Sequence, residues 1–221
     1  MHLCGHEAEG VRTALSELGD PDVGSTVCDV SQVEDVDRLM SDASASLGGI
    51  DVLANNAGIG WREPFLDVTT EHWDRIIEVN LRGMFLVGQA VARHMVARGG
   101  GAIVNMASTN GLAAEADFSH YNSSKGAVVQ LTRTMAVELG PLGVRVNALC
   151  PGYIDTPLNH EIAAAIANPS FAEDYARVSI PLGRAGGADE VAAAYAFLAS
   201  DDASFVTGAM HVIDGGQTAV M

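Results

Sequence analysis

Lysine is almost missing from this 221-residue chain: Lys125 stands alone against eleven arginines. A surface cation can be either residue, so a single lysine marks a place that needs a compact, mobile ammonium rather than a planar fork. Basic charge is scarce altogether, with 12 Lys and Arg against 28 Asp and Glu and a formal net charge of −16. That balance, spread along the chain, argues against nucleic acid or an anionic membrane as a partner. Cysteine is limited to Cys4, Cys28 and Cys150. Their number is odd and they have no metal-ligand spacing, so no metal site is expected and the thiols are read as free and buried. No apolar run reaches membrane-spanning length, and no basic flank leads into an apolar core at the N-terminus. The expectation is a soluble, cytoplasmic protein of one domain, residues 1–221, whose 48% hydrophobic content can fill a substantial core.

Short β-rich runs alternate with longer helical ones. Residues 24–30, 50–57, 101–108, 144–151 and 208–214 are nearly all apolar, as strands covered on both faces should be. Between them, 7–18, 33–47, about 72–98, 121–139 and 189–199 carry apolar residues at helical spacing. This alternation predicts an α/β fold, a Rossmann-like doubly wound parallel sheet with helices on both faces. Residues 153–187, polar and broken by Pro and Gly around a small Ala-rich helix, read as an excursion between the last two strands. Excursions at strand C-termini are where open α/β sheets cover their substrates.

The candidate chemistry sits at those strand ends. Tyr121 and Lys125 are four residues apart in "SHYNSSKGA" and share a helix face. An ammonium beside a phenol favours the phenolate, which pulls the phenol's pKa toward the working range. Ser108 closes an apolar strand thirteen residues before Tyr121. Asn80, in "VNLRG", is an amide inside an apolar helix and needs a hydrogen-bonding reason. "NNAG" (55–58) and "CPGYIDTP" (150–157) end two further strands in polar groups and glycine. Asn55 has a plain alternative as a tie between strands, Asp29 as a helix cap, and Asp214 reads as structural. His94 and His120 have no partner visible in the sequence.

Taken together and in order, "CDV", "NNAG", "VNLRG", "IVNMAS", "YNSSK", "PGYIDT" and "GAMHVIDGG" resemble the short-chain dehydrogenase/reductase family, most closely its 3-oxoacyl-carrier-protein reductase-like members. The resemblance implies an NAD(P)-dependent oxidoreductase that interconverts a small-molecule carbonyl and a secondary alcohol. It implies Tyr121 as general acid and base, Ser108 holding the substrate oxygen, Lys125 on the nicotinamide ribose while lowering the Tyr121 pKa, and Asn80 completing a water-linked proton relay. For the cofactor it implies Asp29 and Val30 beside the adenine, Asn56, Ala57 and Gly58 along the ribose, and Gly152, Ile154 and Thr156 toward the carboxamide. Gly5 and His6 stand where an acidic residue would favour NAD, so the lean is to NADP. A homodimer or homotetramer is implied, built on helices at about 84–98 and 120–139.

One family element has no counterpart in this sequence. The Gly-rich turn between first strand and first helix, which holds the pyrophosphate, is absent, and "MHLCGHEAEG" resembles the end of the family's second strand. The sheet is therefore expected to be N-terminally truncated. Three arrangements are open: a longer natural chain, a sheet closed up with "STVCDV" beside "DVLANNA", or another chain covering the gap. Cofactor binding could be weakened or lost. The alternatives to a redox enzyme are then cofactor-independent proton transfer, as in a dehydratase or isomerase, and a non-catalytic binding partner.

Overall fold

The computed structural model describes residues 1–166 and 168–220. In chain order, β1 (His2–Gly5) leads to α1 (Ala8–Leu18), β2 (Gly24–Val27) to α2 (Val33–Leu47), and β3 (Val52–Asn55) to α3 (Thr70–Ile77). A π-helical turn, Glu78–Gly83, joins α3 to α4 (Met84–Arg98). Then follow β4 (Gly101–Met106), α5 (Ser119–Leu139), β5 (Val144–Pro151), α6 (Pro157–Ala164), α7 (Phe171–Ser179), α8 (Ala188–Ala199) and β6 (Met210–Ile213). Both α1 and α2 stop at a glycine in the left-handed region, Gly19 at φ 62° and Gly48 at φ 66°. There the glycine N–H closes back on the last helical turn without a Cβ penalty.

Strands β3, β4, β5 and β6 form one parallel sheet in that order, with Asn55 opposite Asn105, Gly101 opposite Val144 and Ala148 opposite Met210. Successive residues of β4 point to opposite faces, as the pleat requires. Ile103 packs with Val87, Val91 and Met95 of α4, whereas Val104 packs with Val191 and Leu198 of α8. Both faces of the central strands β4 and β5 are thereby covered, which is why those two read as continuous apolar runs. The expected doubly wound arrangement is present.

The sheet is interrupted, however. β1 and β2 pair in parallel with each other, His2 opposite Gly24, as a separate two-stranded sheet. β2 does not lie in hydrogen-bonded register with β3, so the closed-up arrangement is not formed. β2 is instead engaged by the ladder to β1 and by a polar tie from Thr26 to His2 and to Asp42 of α2 at 2.9 and 2.8 Å. The excursion holds two helices, α6 and α7, where the sequence suggested one. Cysteine needs a correction as well. Cys28 and Cys150 are buried, but Cys4 is exposed, because β1 has no neighbour on its other edge. Among the described residues no helix is long and apolar enough to cross a membrane.

Candidate active site

Tyr121 and Lys125 lie in the first two turns of α5, which starts at Ser119. The ammonium of Lys125 stands 5.6 Å from the centre of the Tyr121 ring, and the side chain is only 2% exposed. One of its three N–H bonds is donated to the Met106 carbonyl at 2.8 Å, at the end of β4. Ser108, two residues beyond Met106, puts its hydroxyl close enough to the Tyr121 phenol to favour the ionised form. The Ser108 Oγ also accepts the Asn110 N–H at 3.1 Å, which fixes the turn that follows β4. The three groups picked out in the sequence therefore converge at the C-terminal edge of the sheet.

Their electrostatics depart from expectation. Burial pushes the Tyr121 phenol above its usual value, the nearby Glu115 adds to this, and Ser108 opposes it without reversing it. Burial also pulls Lys125 from its usual 10.5 down to about 8. The expected lowering of the Tyr121 pKa by Lys125 is thus not what the fold produces. Both groups pay for leaving water, and desolvation outweighs their mutual effect. Between about pH 8 and 10.5 the unfolded chain still holds a proton that the folded Lys125 has released, so this residue's contribution to stability improves as pH rises through that window. Denaturant unfolding of wild type and Lys125→Met at pH 7.5 and pH 10 should show wild type gaining roughly 2–3 kcal/mol relative to the variant. A difference that does not move with pH would contradict a neutralised, buried Lys125.

Asn80 is fully buried in the π-helical turn, a distortion that tends to occur at functional sites. Its Oδ1 accepts the Ile59 N–H at 2.8 Å, and its Nδ2 donates to the Ile59 carbonyl at 2.8 Å and to Ser124 Oγ at 3.2 Å. The side chain thus clamps the loop after β3 onto α5. That loop explains two glycines. A Cβ at Gly58 would come within 3.3 Å of Asn80 Oδ1 and 3.4 Å of Lys125 Nζ, and one at Gly60 within 2.9 Å of the Tyr121 ring.

Asn55 makes the strand tie that was its plain alternative, donating to the Met84 carbonyl at 2.9 Å and to Asn105 Oδ1 at 3.2 Å. Asn56, Ala57 and Gly58 are exposed at the same strand end. Asp29 caps no helix. Its Oδ1 accepts from the Ser31 N–H and hydroxyl at 3.0 and 2.7 Å, while α2 starts from Gln32 without a side-chain cap. Val30 packs on Gly83, where any Cβ would strike it at 2.6 Å. Gly152 lets β5 approach Gln217 and Asp214, Ile154 is buried and bridges to Gly186, and Thr156 caps α6. Asp214 is structural, its carboxylate taking the Gly216 N–H together with the Thr218 N–H and hydroxyl.

His120 was missed. It is fully buried next to Tyr121, its Nδ1 accepts the Tyr121 N–H at 2.9 Å, and its Nε2 lies 3.7 Å from Glu63 Oε2. Glu63 also takes the Trp61 indole N–H at 3.2 Å and faces His72 Nδ1 at 2.9 Å. Burial holds His120 below its usual pKa and therefore neutral. Only the odd placement of a histidine at the start of an apolar helix hinted at this cluster, since Glu63 and His72 are distant in sequence.

A nicotinamide dinucleotide fits one half of this crevice. An ammonium with donors to spare sits behind Gly58, where a Cβ would press on Asn80 and Lys125, beside an exposed polar strand end. The other half lacks the usual phosphate cradle. Among the described residues no glycine-rich strand-to-helix turn of that kind occurs; the turn from β1 into α1, which by resemblance is the one that meets the adenosine ribose, carries Glu7 and Glu9.

Comparison with known proteins agrees with this architecture. A family model described as enoyl-(acyl carrier protein) reductase matches residues 3–218. The cis-4-hydroxycyclohexanecarboxylate dehydrogenase of Sinomonas cyclohexanicum is 42% identical over 214 residues, covering 96% of this chain and 83% of that protein. The crystal structure of levodione reductase superposes with a TM-score of 0.93 at 38% identity, over 100% of this chain and 88% of that one. A gluconate 5-dehydrogenase from Burkholderia cenocepacia, solved with NADP and tartrate, gives 0.90 at 36% identity over 100% of this chain and 86% of that one. The chain belongs to the short-chain dehydrogenase/reductase family and is an oxidoreductase of that type.

Proposed function

We propose that the chain interconverts a small-molecule carbonyl and a secondary alcohol, with Tyr121 as the group that gives or takes the oxygen's proton. The observation that carries this is the convergence of the Ser108 hydroxyl, the Tyr121 phenol and the Lys125 ammonium beside an exposed strand end. In the reducing direction the Tyr121 O–H donates to the substrate oxygen while Ser108 holds that oxygen in place. A phenol held above its usual pKa is protonated at neutral pH and ready for that donation. The phenolate that results is stabilised by the neighbouring Lys125. In the oxidising direction the phenolate is the working form, so alcohol oxidation increases with pH. Asn80 holds the loop and α5 in register, since both ends of its side chain are already engaged.

The nicotinamide, when bound, supplies or accepts the hydride. Lys125 would hold its ribose, Asn56, Ala57 and Gly58 would line the adjoining ribose, and Ile154 and Thr156 would meet the carboxamide, with Gly152 letting that strand end come close. Asp29 and Val30 would flank the adenine. NADP is the reading at the ribose 2′ position, because Gly5 and His6 bring no carboxylate there; of the similar structures, a gluconate 5-dehydrogenase was solved with NADP and a 3-ketoacyl-(acyl-carrier-protein) reductase with NADH. A second reading, proton transfer without a dinucleotide, draws on the absence of a Gly-rich phosphate turn from the sequence. Turnover separates the two. Secondary alcohols or ketones supplied with NADP(H) or NAD(H) should change the dinucleotide absorbance at a rate proportional to protein. Conversion of a carbonyl substrate with no change in dinucleotide absorbance would favour the second reading.

A further inference from the structure

A cavity of about 330 Å³ opens beside the turn after β4, lined by Thr109 and Asn110, the two residues that follow Ser108. That is at the lower end of the roughly 300–1,000 Å³ of small-molecule sites, so a substrate of modest size suits it. Its polar wall is made by Thr109, Asn110, Glu115, Tyr175, Ser179 and Gln217. Several of these groups are already committed. Asn110 Nδ2 spends its protons on Glu115 Oε2 at 3.3 Å and Asn122 Oδ1 at 3.0 Å, so what it has left to offer is an acceptor. Gln217 donates to the Tyr175 oxygen at 2.9 Å and accepts the Tyr153 N–H at 3.3 Å. Tyr175, accepting from Gln217, keeps its own O–H to donate, and burial holds its pKa up to about 12, so it remains a donor. Thr109 and Ser179 can do either.

Among the described residues no lysine or arginine lines this cavity. Arg62, whose charge reaches Tyr175, is already paired with Asp117 at 2.8 Å. A carboxylate placed here would face Glu115 with no cation to offset it, and like-charge juxtaposition is strongly rejected. Neutral hydroxyls suit the wall, because they donate to Glu115 and Asn110 and accept from Tyr175.

We infer that the site takes a neutral, hydroxyl-rich substrate of modest size, a cyclic diol or short polyol or its ketone, and discriminates against carboxylates of the same size. The inference rests on the proposed placement of the reacting oxygen at Ser108 and Tyr121. Its test does not need turnover. Ligand-observed NMR at pH 7 compares 1,4-cyclohexanediol with cis-4-hydroxycyclohexanecarboxylate on wild type and on Glu115→Gln, with melting curves to confirm that the variant is folded. The diol should bind at least ~10-fold more tightly than the carboxylate to wild type, and Glu115→Gln should narrow that ratio to within ~3-fold. A carboxylate that binds wild type as well as the diol, a diol that gives no signal, or a ratio unmoved by Glu115→Gln would overturn it. Failure of the redox reading shows separately, as diol binding without any dinucleotide-linked conversion.

Discussion

Tyr121→Phe is expected to lower kcat by about 10²–10⁴-fold, the range a positioned acid–base group contributes, while leaving the fold unchanged. The substitution removes one oxygen from a ring that packs against Phe118 at 6.0 Å between centroids and against the Gly60 backbone, and those contacts remain. No new cavity of consequence opens, so melting should move little. Steady-state kinetics in both directions checks this, and the loss should lie in kcat rather than in KM. The pH profile gives a second readout. The rise of alcohol oxidation with pH comes from the phenol and should be absent from whatever activity the variant retains. A variant within ~3-fold of wild type would remove Tyr121 from the chemistry.

The second large effect falls on stability. Asn80→Ala deletes a buried amide that satisfies the Ile59 N–H and carbonyl, together with Ser124 Oγ. Each buried group left without a partner costs about 1–3 kcal/mol. Water entering the space would recover part of that, so a loss of roughly 2–4 kcal/mol is expected. For a chain of this length that lowers Tm by about 5–15 °C. Activity should fall too, because the loop released by the substitution carries Gly58 against Lys125 and Gly60 against Tyr121. Thermal unfolding followed by circular dichroism checks the first part. A shift under ~2 °C would mean that the π-helical turn and its loop hold together without the amide.

These two residues also show what the sequence could disclose. The Tyr121–Lys125 pair was legible because helix geometry alone puts i and i+4 on one face, and the solitary lysine drew attention to it. Strands β2 to β6 were legible as short apolar runs between turn residues, most clearly β4 and β5, which are covered on both faces. Asn80 was recognisable as a misfit within an apolar helix, but its π-helical setting and its two-ended grip on Ile59 depend on a loop twenty-one residues away. The direction of the Tyr121 pKa was not legible at all. Spacing reports which charge is near, whereas burial is a property of the whole fold, and here burial dominates. The same holds for His120, whose nearest carboxylate comes from Glu63, and for Cys4, exposed only because β1 stands at an unpaired edge. Which of the three open arrangements the sheet takes was not legible either, because strand pairing joins residues far apart in sequence, and the split into two and four strands appears only in the fold.

The account turns on whether Lys125 and the exposed strand end at Asn56–Gly58 form a nicotinamide site even though the sequence carries no Gly-rich phosphate turn. Isothermal titration of NADPH and NADH into wild type and Lys125→Met tests this most directly. Saturable binding to wild type, tighter for NADPH and at least ~10-fold weaker in the variant, is the predicted result. No heat from either dinucleotide at millimolar concentration, or equal binding by wild type and variant, would contradict it.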